Sequence, residues 1–178
     1  MLLLALAALL ATVQGAVEAD EFTQLPGAPG PMTTKSYSGY LPVTESKALH
    51  YVFVESQNDP TTDPVVIWFN GGPGCSSLLG FFQENGPWNV GADGNNSVWE
   101  NEWSWNRNAS VLYIESPAGV CYSIANTTED KTTNDLQQSE DAITALLYWF
   151  SVFPEFLPNP LYVSGESYGG VYVPYLTW

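Results

Sequence analysis

The sequence predicts an α/β fold with a mostly parallel sheet, flanking helices and an antiparallel hairpin near the N-terminus. Three continuous apolar runs, residues 65–69, 111–114 and 161–163, are typical of strands buried on both faces. Between the last two, residues 135–150 carry apolar side chains at helical spacing, and Pro154 ends that pattern. Because parallel strands require such a crossover, the order strand, helix, strand indicates an α/β sheet with right-handed connections.

The remaining segments complete this outline. Residues 36–43 and 49–55 have the aromatic and β-branched content of strands, and a short polar turn between them predicts a hairpin. The single histidine, His50, falls in the second strand and is interpreted as structural, not as a catalytic base. Residues 85–108 are rich in Gly, Asn and Trp and are predicted to be loop. The apolar positions of the predicted helix are Leu136, Ile143, Leu146, Leu147 and Phe150.

The composition is that of a globular chain with one domain. Its 178 residues are too few for two ordinary domains, and 45% of them are hydrophobic. Four basic residues against 19 acidic ones give a formal charge of -15, which repels phosphate backbones and anionic membranes. We therefore expect no nucleic-acid partner and no integral membrane contact, and the acidic surface suits an acidic compartment.

The N-terminal segment indicates entry into the secretory pathway. Residues 1–13 form a Leu/Ala run that is too short to span a bilayer, and small residues follow at Gly15 and Ala16. Residues 1–15 are interpreted as a signal peptide, with a buried helix as the alternative. The expected destination is the lysosome, the vacuole or the extracellular space. Three sequons, each a candidate glycosylation site on this route, begin at Asn95, Asn108 and Asn126.

The two cysteines, Cys75 and Cys121, are too few for a disulfide-dense miniprotein. Two arrangements are open. The cysteines pair with each other, or Cys75 pairs with a cysteine beyond Trp178 and Cys121 is a small buried hydrophobe.

The motif with the clearest chemistry is GESYG at residues 165–169, directly after the apolar run 161–163. It matches the G-x-S-x-G nucleophile elbow, in which small residues let a strand and a helix approach while the serine stays exposed at the sheet edge. The alternative is an ordinary strand-to-helix turn. Its position after a predicted strand favours the elbow, with Ser167 as the nucleophile.

A second motif, WFNGGPGCSS at residues 68–77, runs from a strand into a glycine loop that exposes backbone N–H groups. In α/β-hydrolases one oxyanion-hole donor comes from such a loop, and the other comes from the residue after the nucleophile. Gly72 and Tyr168 are therefore the candidate donors. A phosphate-binding loop is disfavoured because the segment lacks both the Lys-Ser/Thr ending of a P-loop and the G-x-G-x-x-G spacing.

Three segments together resemble the serine carboxypeptidases, which have the α/β-hydrolase fold. They are WFNGGPGCSSLLGFFQENGPW, NEWSWNRNASVLYIESPAGV and LYVSGESYGGVYVPYL, beginning at Trp68, Asn101 and Leu161. The resemblance covers most of the chain after about Ser36. It implies that Ser167 is the nucleophile and that the N–H groups of the two candidate donors form the oxyanion hole. It also implies a group that holds the free C-terminal carboxylate of the substrate, made of Asn70, Gly71, Glu84 and Glu166.

The implied reaction is acyl transfer to Ser167, release of the C-terminal amino acid and hydrolysis of the acyl-enzyme, with no metal and no organic cofactor. The expected substrates are peptides or proteins with a free C-terminus, and a homodimer of the full-length protein is left open. Because two carboxylates that hold a third repel it unless one is protonated, we expect peptidase activity to be best at acidic pH. The alternatives are a carboxypeptidase-like acyltransferase and a truncated, inactive binding or protective protein.

The chain departs from the family pattern in two places. The catalytic order in this fold is Ser, Asp, His, but residues 168–178 contain no Asp, Glu or His. Residues 16–178 are therefore expected to be the N-terminal part of one α/β-hydrolase domain, with the part that supplies Asp and His missing. The second departure is Cys121, where the family usually has glycine. The resemblance also implies that Cys75 is bridged to a cysteine further along.

Overall fold

The computed structural model describes residues 18–91 and 97–178. The predicted signal peptide, residues 1–15, and the sequon at Asn95 lie outside the described residues. Within these two ranges, no helix has the length and apolar character needed to cross a membrane.

A six-stranded mixed sheet forms the centre of the fold, and a separate two-stranded hairpin lies beside it. The strands are β1 (Ser36–Pro42), β2 (Lys47–Val54), β3 (Val65–Phe69), β4 (Trp88–Val90), β5 (Val98–Glu100), β6 (Ser110–Ile114), β7 (Ile124–Ala125) and β8 (Leu161–Gly165). The main helices are α1 (Asp135–Val152) and α2 (Gly169–Thr177). A π-helical turn spans Gly80–Glu84, and 3₁₀ turns span Trp105–Arg107 and Pro154–Phe156.

The sheet order is β1, β2, β6, β3, β8, with β7 paired to the start of β2. Strands β6, β3 and β8 are parallel, and Val65 lies opposite both Ser110 and Leu161. The hairpin β1–β2 joins them through antiparallel pairing of β2 with β6. The predicted α/β architecture with an N-terminal hairpin is therefore confirmed, and the crossover through α1 carries the chain from β6 over β3 to β8.

The prediction that residues 85–108 form only loop is wrong. Within this segment β4 and β5 pair in antiparallel fashion, with Trp88 opposite Glu100. Asn101 anchors the end of this hairpin, because its side-chain amide donates to the carbonyl of Gly86 at 2.9 Å. Strands of three residues are too short to show a period, which is why the sequence pattern did not reveal them.

Helix α1 packs on the sheet through a face that differs from the predicted one. Trp149, Ala142 and Ala145 are fully buried, and the Trp149 ring meets Phe53 edge-on at a centroid distance of 4.9 Å. The two alanines let the helix approach closely, and the indole fills the remaining space. Of the predicted apolar positions, Leu146 is buried and Phe150 half-buried, whereas Leu136, Ile143 and Leu147 are exposed.

A buried contact between a histidine and a carboxylate joins the hairpin to the end of β6. The Glu115 side chain is 0% exposed and lies 3.0 Å from His50 Nδ1, while His50 Nε2 lies 3.0 Å from Ser38 Oγ. The carboxylate also accepts hydrogen bonds from the Tyr122 N–H at 3.1 Å and from Ser76 Oγ. His50 is thus a partnered strand residue in β2, as predicted.

The hydrogen bonds decide the charge state of Glu115. Burial acts to raise the pKa of its carboxyl, but the hydrogen bonds from His50, Ser76 and the Tyr122 amide outweigh burial. The pKa is therefore held below its ordinary value of 4.5, and the carboxylate stays charged inside the protein. Ser76 belongs to the loop after β3, so this charge also fixes that loop.

Replacing Glu115 by Gln tests the contribution of this charge to stability. Because the folded pKa is lowered, the stabilisation is present above pH 4.5 and is lost as the pH falls through the folded pKa. We expect Glu115→Gln to lower the free energy of unfolding at pH 7 by about 1–3 kcal/mol and to flatten its decline in acid. Urea unfolding from neutral to acidic pH measures both quantities. Glu129→Gln, at an exposed carboxyl, is the control, and an unchanged acid decline in Glu115→Gln would contradict the prediction.

Candidate active site

Strand β8 delivers Ser167 to the carboxyl edge of the sheet. The strand ends at Gly165 and α2 begins at Gly169, so only a short turn separates them. Ser167 is exposed and adopts a left-handed backbone with φ of 54°. Residues with a Cβ rarely take this conformation, and it is the strained backbone that a nucleophile elbow requires. The strand, turn and helix predicted around the G-x-S-x-G motif are all present.

Gly71 brings the loop after β3 into contact with this elbow. A Cβ built on Gly71 lies 2.4 Å from Tyr168 N and 2.9 Å from Ser167 Cβ, distances that no real side chain tolerates. The next residue, Gly72, has φ of 110°, a conformation that also favours glycine. The structure therefore brings together the two segments from which the oxyanion donors were predicted.

The two predicted oxyanion donors are unengaged. Within residues 18–91 and 97–178, no hydrogen bond occupies the backbone N–H of Gly72 or that of Tyr168. Free N–H groups beside an exposed serine are what stabilisation of an oxyanion requires, because they are oriented before any charge develops.

The Asn70 side chain bridges the two glutamates predicted to bind the substrate carboxylate. Its Nδ2 donates to Glu84 Oε1 at 2.9 Å and to Glu166 Oε1 at 3.3 Å. The Gly71 N–H also donates to Glu166 Oε1, at 3.2 Å. Glu84 comes from the π-helical turn and Glu166 from the elbow, and both are exposed. All four predicted carboxylate-binding residues therefore form one connected group.

Neighbouring groups fix the orientation of Asn70. The residue is only 2% exposed, and its Oδ1 accepts from the Trp68 indole and from the Gly80 N–H, both at 2.9 Å. Because two donors face this oxygen, the NH₂ group of the amide must face the carboxylates. The backbone N–H of Asn70 donates to Ser77 Oγ at 3.2 Å, which holds the loop in place.

Comparison with known proteins identifies the family. The model of the serine carboxypeptidase family matches residues 26–178. The chain belongs to the serine carboxypeptidase family. It is 47% identical over 178 residues to the lysosomal protective protein of Mus musculus, covering 99% of this chain and 37% of that protein. It is 44% identical over 169 residues to serine carboxypeptidase-like 20 of Arabidopsis thaliana, covering 92% of this chain and 34% of that protein.

A solved structure shows the same relationship. The chain is similar to Kex1(delta)p, a prohormone-processing carboxypeptidase from Saccharomyces cerevisiae, with a TM-score of 0.73 and 26% identity. The match covers 90% of this chain and 38% of that one. The likeness confirms the α/β-hydrolase fold. The chain spans about a third of the length of the curated relatives that it matches.

One further contact in this site could not be predicted from the residue pattern. The Tyr168 hydroxyl donates to Asp135 Oδ1 at 3.1 Å, and this hydrogen bond raises the pKa of the Tyr168 phenol. Asp135 opens α1 behind Asn134, whose side chain accepts from Gln137 N. The capping residue Asn134 predicts where α1 begins. That the start of α1 lies beside the elbow depends on the order of the strands in the sheet. The contact ties the residue that follows Ser167 to α1.

Both cysteines are free and exposed in the described structure. Pairing of Cys75 with Cys121 is therefore wrong, and so is the interpretation of Cys121 as a buried hydrophobe. Cys121 has φ of 46°, a left-handed backbone conformation that favours glycine. Desolvation and the nearby Glu115 carboxylate raise the pKa of the Cys121 thiol, which opposes its ionisation. A disulfide from Cys75 to another cysteine stays a prediction.

No group of three or more His, Cys, Asp or Glu side chains in the described ranges is arranged to hold a metal ion. The asparagines Asn108 and Asn126 are both exposed, whereas Ser110, which completes the first sequon, is buried in β6.

The close contact of Gly71 with the elbow can be tested by comparing an alanine substitution there with one at Gly170, where a side chain has space. We expect Gly71→Ala to lower the free energy of unfolding by about 1–3 kcal/mol, because its Cβ overlaps the elbow backbone. A Cβ at Gly170 meets nothing within 4 Å. Gly170→Ala should therefore be neutral or stabilise α2 by up to about 1 kcal/mol. Urea unfolding of the two variants side by side gives the comparison, and equal stabilities would contradict it.

Proposed function

We propose that the protein carrying this sequence is a serine-type carboxypeptidase that releases C-terminal amino acids from peptides through an acyl-enzyme on Ser167. One observation carries the proposal. Gly71 lies against the elbow, where a Cβ built on it would come within 2.9 Å of Ser167 Cβ and 2.4 Å of Tyr168 N. Its N–H donates to Glu166, within the carboxylate pair that Asn70 bridges. A nucleophile and a group suited to a terminal carboxylate thus lie side by side.

The reaction follows from this arrangement. Ser167 Oγ attacks the last peptide carbonyl, and the unengaged N–H groups of Gly72 and Tyr168 bind the oxyanion. The carbon–nitrogen bond then breaks, the C-terminal amino acid leaves, and water hydrolyses the ester on Ser167. A histidine base accepts the Ser167 proton and passes it to the leaving amine. His50 is unsuited to this role because Glu115 and Ser38 already occupy its two ring nitrogens inside the sheet.

Recognition of a free C-terminus explains the choice of exopeptidase. The substrate carboxylate accepts a hydrogen bond from the Asn70 amide, in place of one of the amide's two bonds to the glutamates, and a second from one protonated glutamic acid of the pair Glu84 and Glu166. When both glutamates are charged they repel a third carboxylate, so binding improves as acid protonates one of them. These donors of the protein would hold the terminal carboxylate of a peptide next to the serine that accepts the acyl group. This arrangement favours removal of one C-terminal residue at a time.

A location in the secretory pathway fits this chemistry. The mouse relative is named lysosomal protective protein, and a formal charge of -15 is most easily tolerated where acid neutralises part of it. The proposed locations are the lysosome or vacuole and the extracellular space, and the proposed substrates are peptides or proteins with a free C-terminus.

The decisive experiment uses the full-length protein purified from a secretory host. N-blocked dipeptides with a free carboxylate, and the same dipeptides with a C-terminal amide, are compared in the absence and presence of an alcohol acceptor. We expect release of the C-terminal residue from the acid form only, and a loss of at least about 10⁴-fold in kcat for Ser167→Ala. Equal cleavage of acid and amide would refute the exopeptidase assignment, and preferential transfer to the alcohol would identify an acyltransferase.

The acidic preference makes a separate prediction. A glutamine at position 84 keeps a neutral amide donor at every pH, so Glu84→Gln should extend kcat/KM for peptides further toward neutral pH than in the wild type. Hydrolysis of an ester substrate that has no free carboxylate serves as the control and should keep the wild-type profile. If kcat/KM for peptides depended on pH in the same way in the variant and in the wild type, the carboxylate pair would not be the cause of the acid preference.

A further inference from the structure

Two exposed tryptophans line a depression that the proposed reaction does not use. Trp103 is 85% exposed and Trp105 is 43% exposed. With Glu102, Arg107 and Asn108 they border an open depression of about 740 Å³. Covering an exposed indole is favourable because its apolar surface leaves water, so two indoles that border one depression are a suitable contact surface for another group.

The same turn carries a sequon. Residues Trp105–Arg107 form the 3₁₀ turn before β6, and the N–H of Asn108 donates back to the carbonyl of Trp105 at 3.3 Å. This backbone hydrogen bond holds Asn108 close to Trp105, whose indole borders the depression. Asn108 is exposed, and in the described part of the chain no hydrogen bond engages its side-chain amide. Ser110 completes the Asn-x-Ser triplet.

We propose that Asn108 carries an N-linked glycan whose first N-acetylglucosamine units lie on the indoles of Trp103 and Trp105. The C–H groups on one face of a sugar ring carry partial positive charge and match the negative face of an indole. The charged side chains of Glu102 and Arg107 at the rim can accept from and donate to the sugar hydroxyls, which fixes the orientation of the ring. The attachment point, Asn108, belongs to this chain, so the occupant is a part of this protein and not an unknown partner.

The surface is organised before the sugar arrives. The Trp105 indole meets Trp68 edge-on at 5.2 Å, and the Trp105 N–H donates to the Asn85 carbonyl at 2.8 Å. Arg107 Nη1 donates to the Glu102 carbonyl at 2.7 Å, which keeps the guanidinium at the rim. Because the Trp105 indole is held in place, less entropy is lost when a flexible glycan packs on it.

The second described sequon provides a matched control. Asn126 is exposed like Asn108, and its N–H donates to the Ser46 carbonyl at 3.1 Å. No tryptophan lies among residues 116–140 of the sequence. Asn126 therefore has no tryptophan close to it in sequence, whereas Asn108 has two within five residues.

The test uses the full-length protein secreted from glycosylating cells. Enzymatic deglycosylation in heavy-oxygen water, followed by peptide mapping, reports occupancy at each sequon. Hydroxyl-radical footprinting then compares oxidation of Trp103 and Trp105 in the wild type, Asn108→Gln and Asn126→Gln. We expect Asn108 to be occupied, oxidation of both indoles to rise several-fold in Asn108→Gln, and Asn126→Gln to match the wild type. An unoccupied Asn108, or indole oxidation that is unchanged by loss of its glycan, would overturn the proposal.

Two further measurements cover the case in which Asn108→Gln is poorly secreted and separate stacking from simple shielding. Enzymatic removal of the glycan from the folded wild type should raise oxidation of the same indoles, and no rise would count against the proposal. In a double-mutant cycle, the loss of Tm caused by Asn108→Gln should shrink in a Trp103→Ala background. An undiminished loss would rule out the contact. None of these readouts depends on Ser167, so their failure is distinct from failure of the proposed peptidase.

Discussion

The parallel pairing of β3 with β8 is the constraint on which the site depends. In the observed register Phe69 lies opposite Gly165, so both strands end at the same edge at the same level. The pairing continues one step further, because Glu166 N–H donates to Phe69 O at 3.2 Å. A slip of one residue would turn each side chain to the opposite face and separate Gly71 from the elbow. The positions of the proposed nucleophile, of the proposed oxyanion donors and of the carboxylate pair all follow from this one alignment.

The hydrogen bonds of Glu115 support that edge of the sheet. A buried carboxylate is costly unless it is hydrogen-bonded, and Glu115 has partners from the hairpin, from the loop after β6 and from the loop after β3. Ser76, one of these partners, lies in the glycine loop that also contains Gly72. Hydrogen bonds through Glu115 therefore connect the antiparallel hairpin to the loop from which an oxyanion donor is expected.

Local signals accounted for most of the fold. The buried strands, the hairpin and the elbow each have a residue pattern that can be recognised over a few positions. The face of α1 could not be read this way, because the helix buries its small residues and Trp149 and leaves Leu147 in solvent. The family resemblance supplied the roles of Asn70, Glu84 and Glu166. Their hydrogen bonds, like the contact of Asp135 with Tyr168, depend on segments that only the sheet brings together.

The fixed amide of Asn70 has a consequence for how substrate and protons interact. Because its oxygen is held by two donors, the NH₂ group faces Glu84 and Glu166 whether or not a peptide is present. If the protein has the proposed function, the carboxylate of an entering substrate adds a third negative charge beside Glu84 and Glu166. The number of hydrogen-bond donors around these carboxylates does not change. Binding then draws a proton from solvent, and by linkage a proton already bound strengthens binding to the same extent. The released amino acid retains a carboxylate, so its departure returns the proton. Each turnover would therefore cycle a proton through a site separate from the acyl-transfer chemistry.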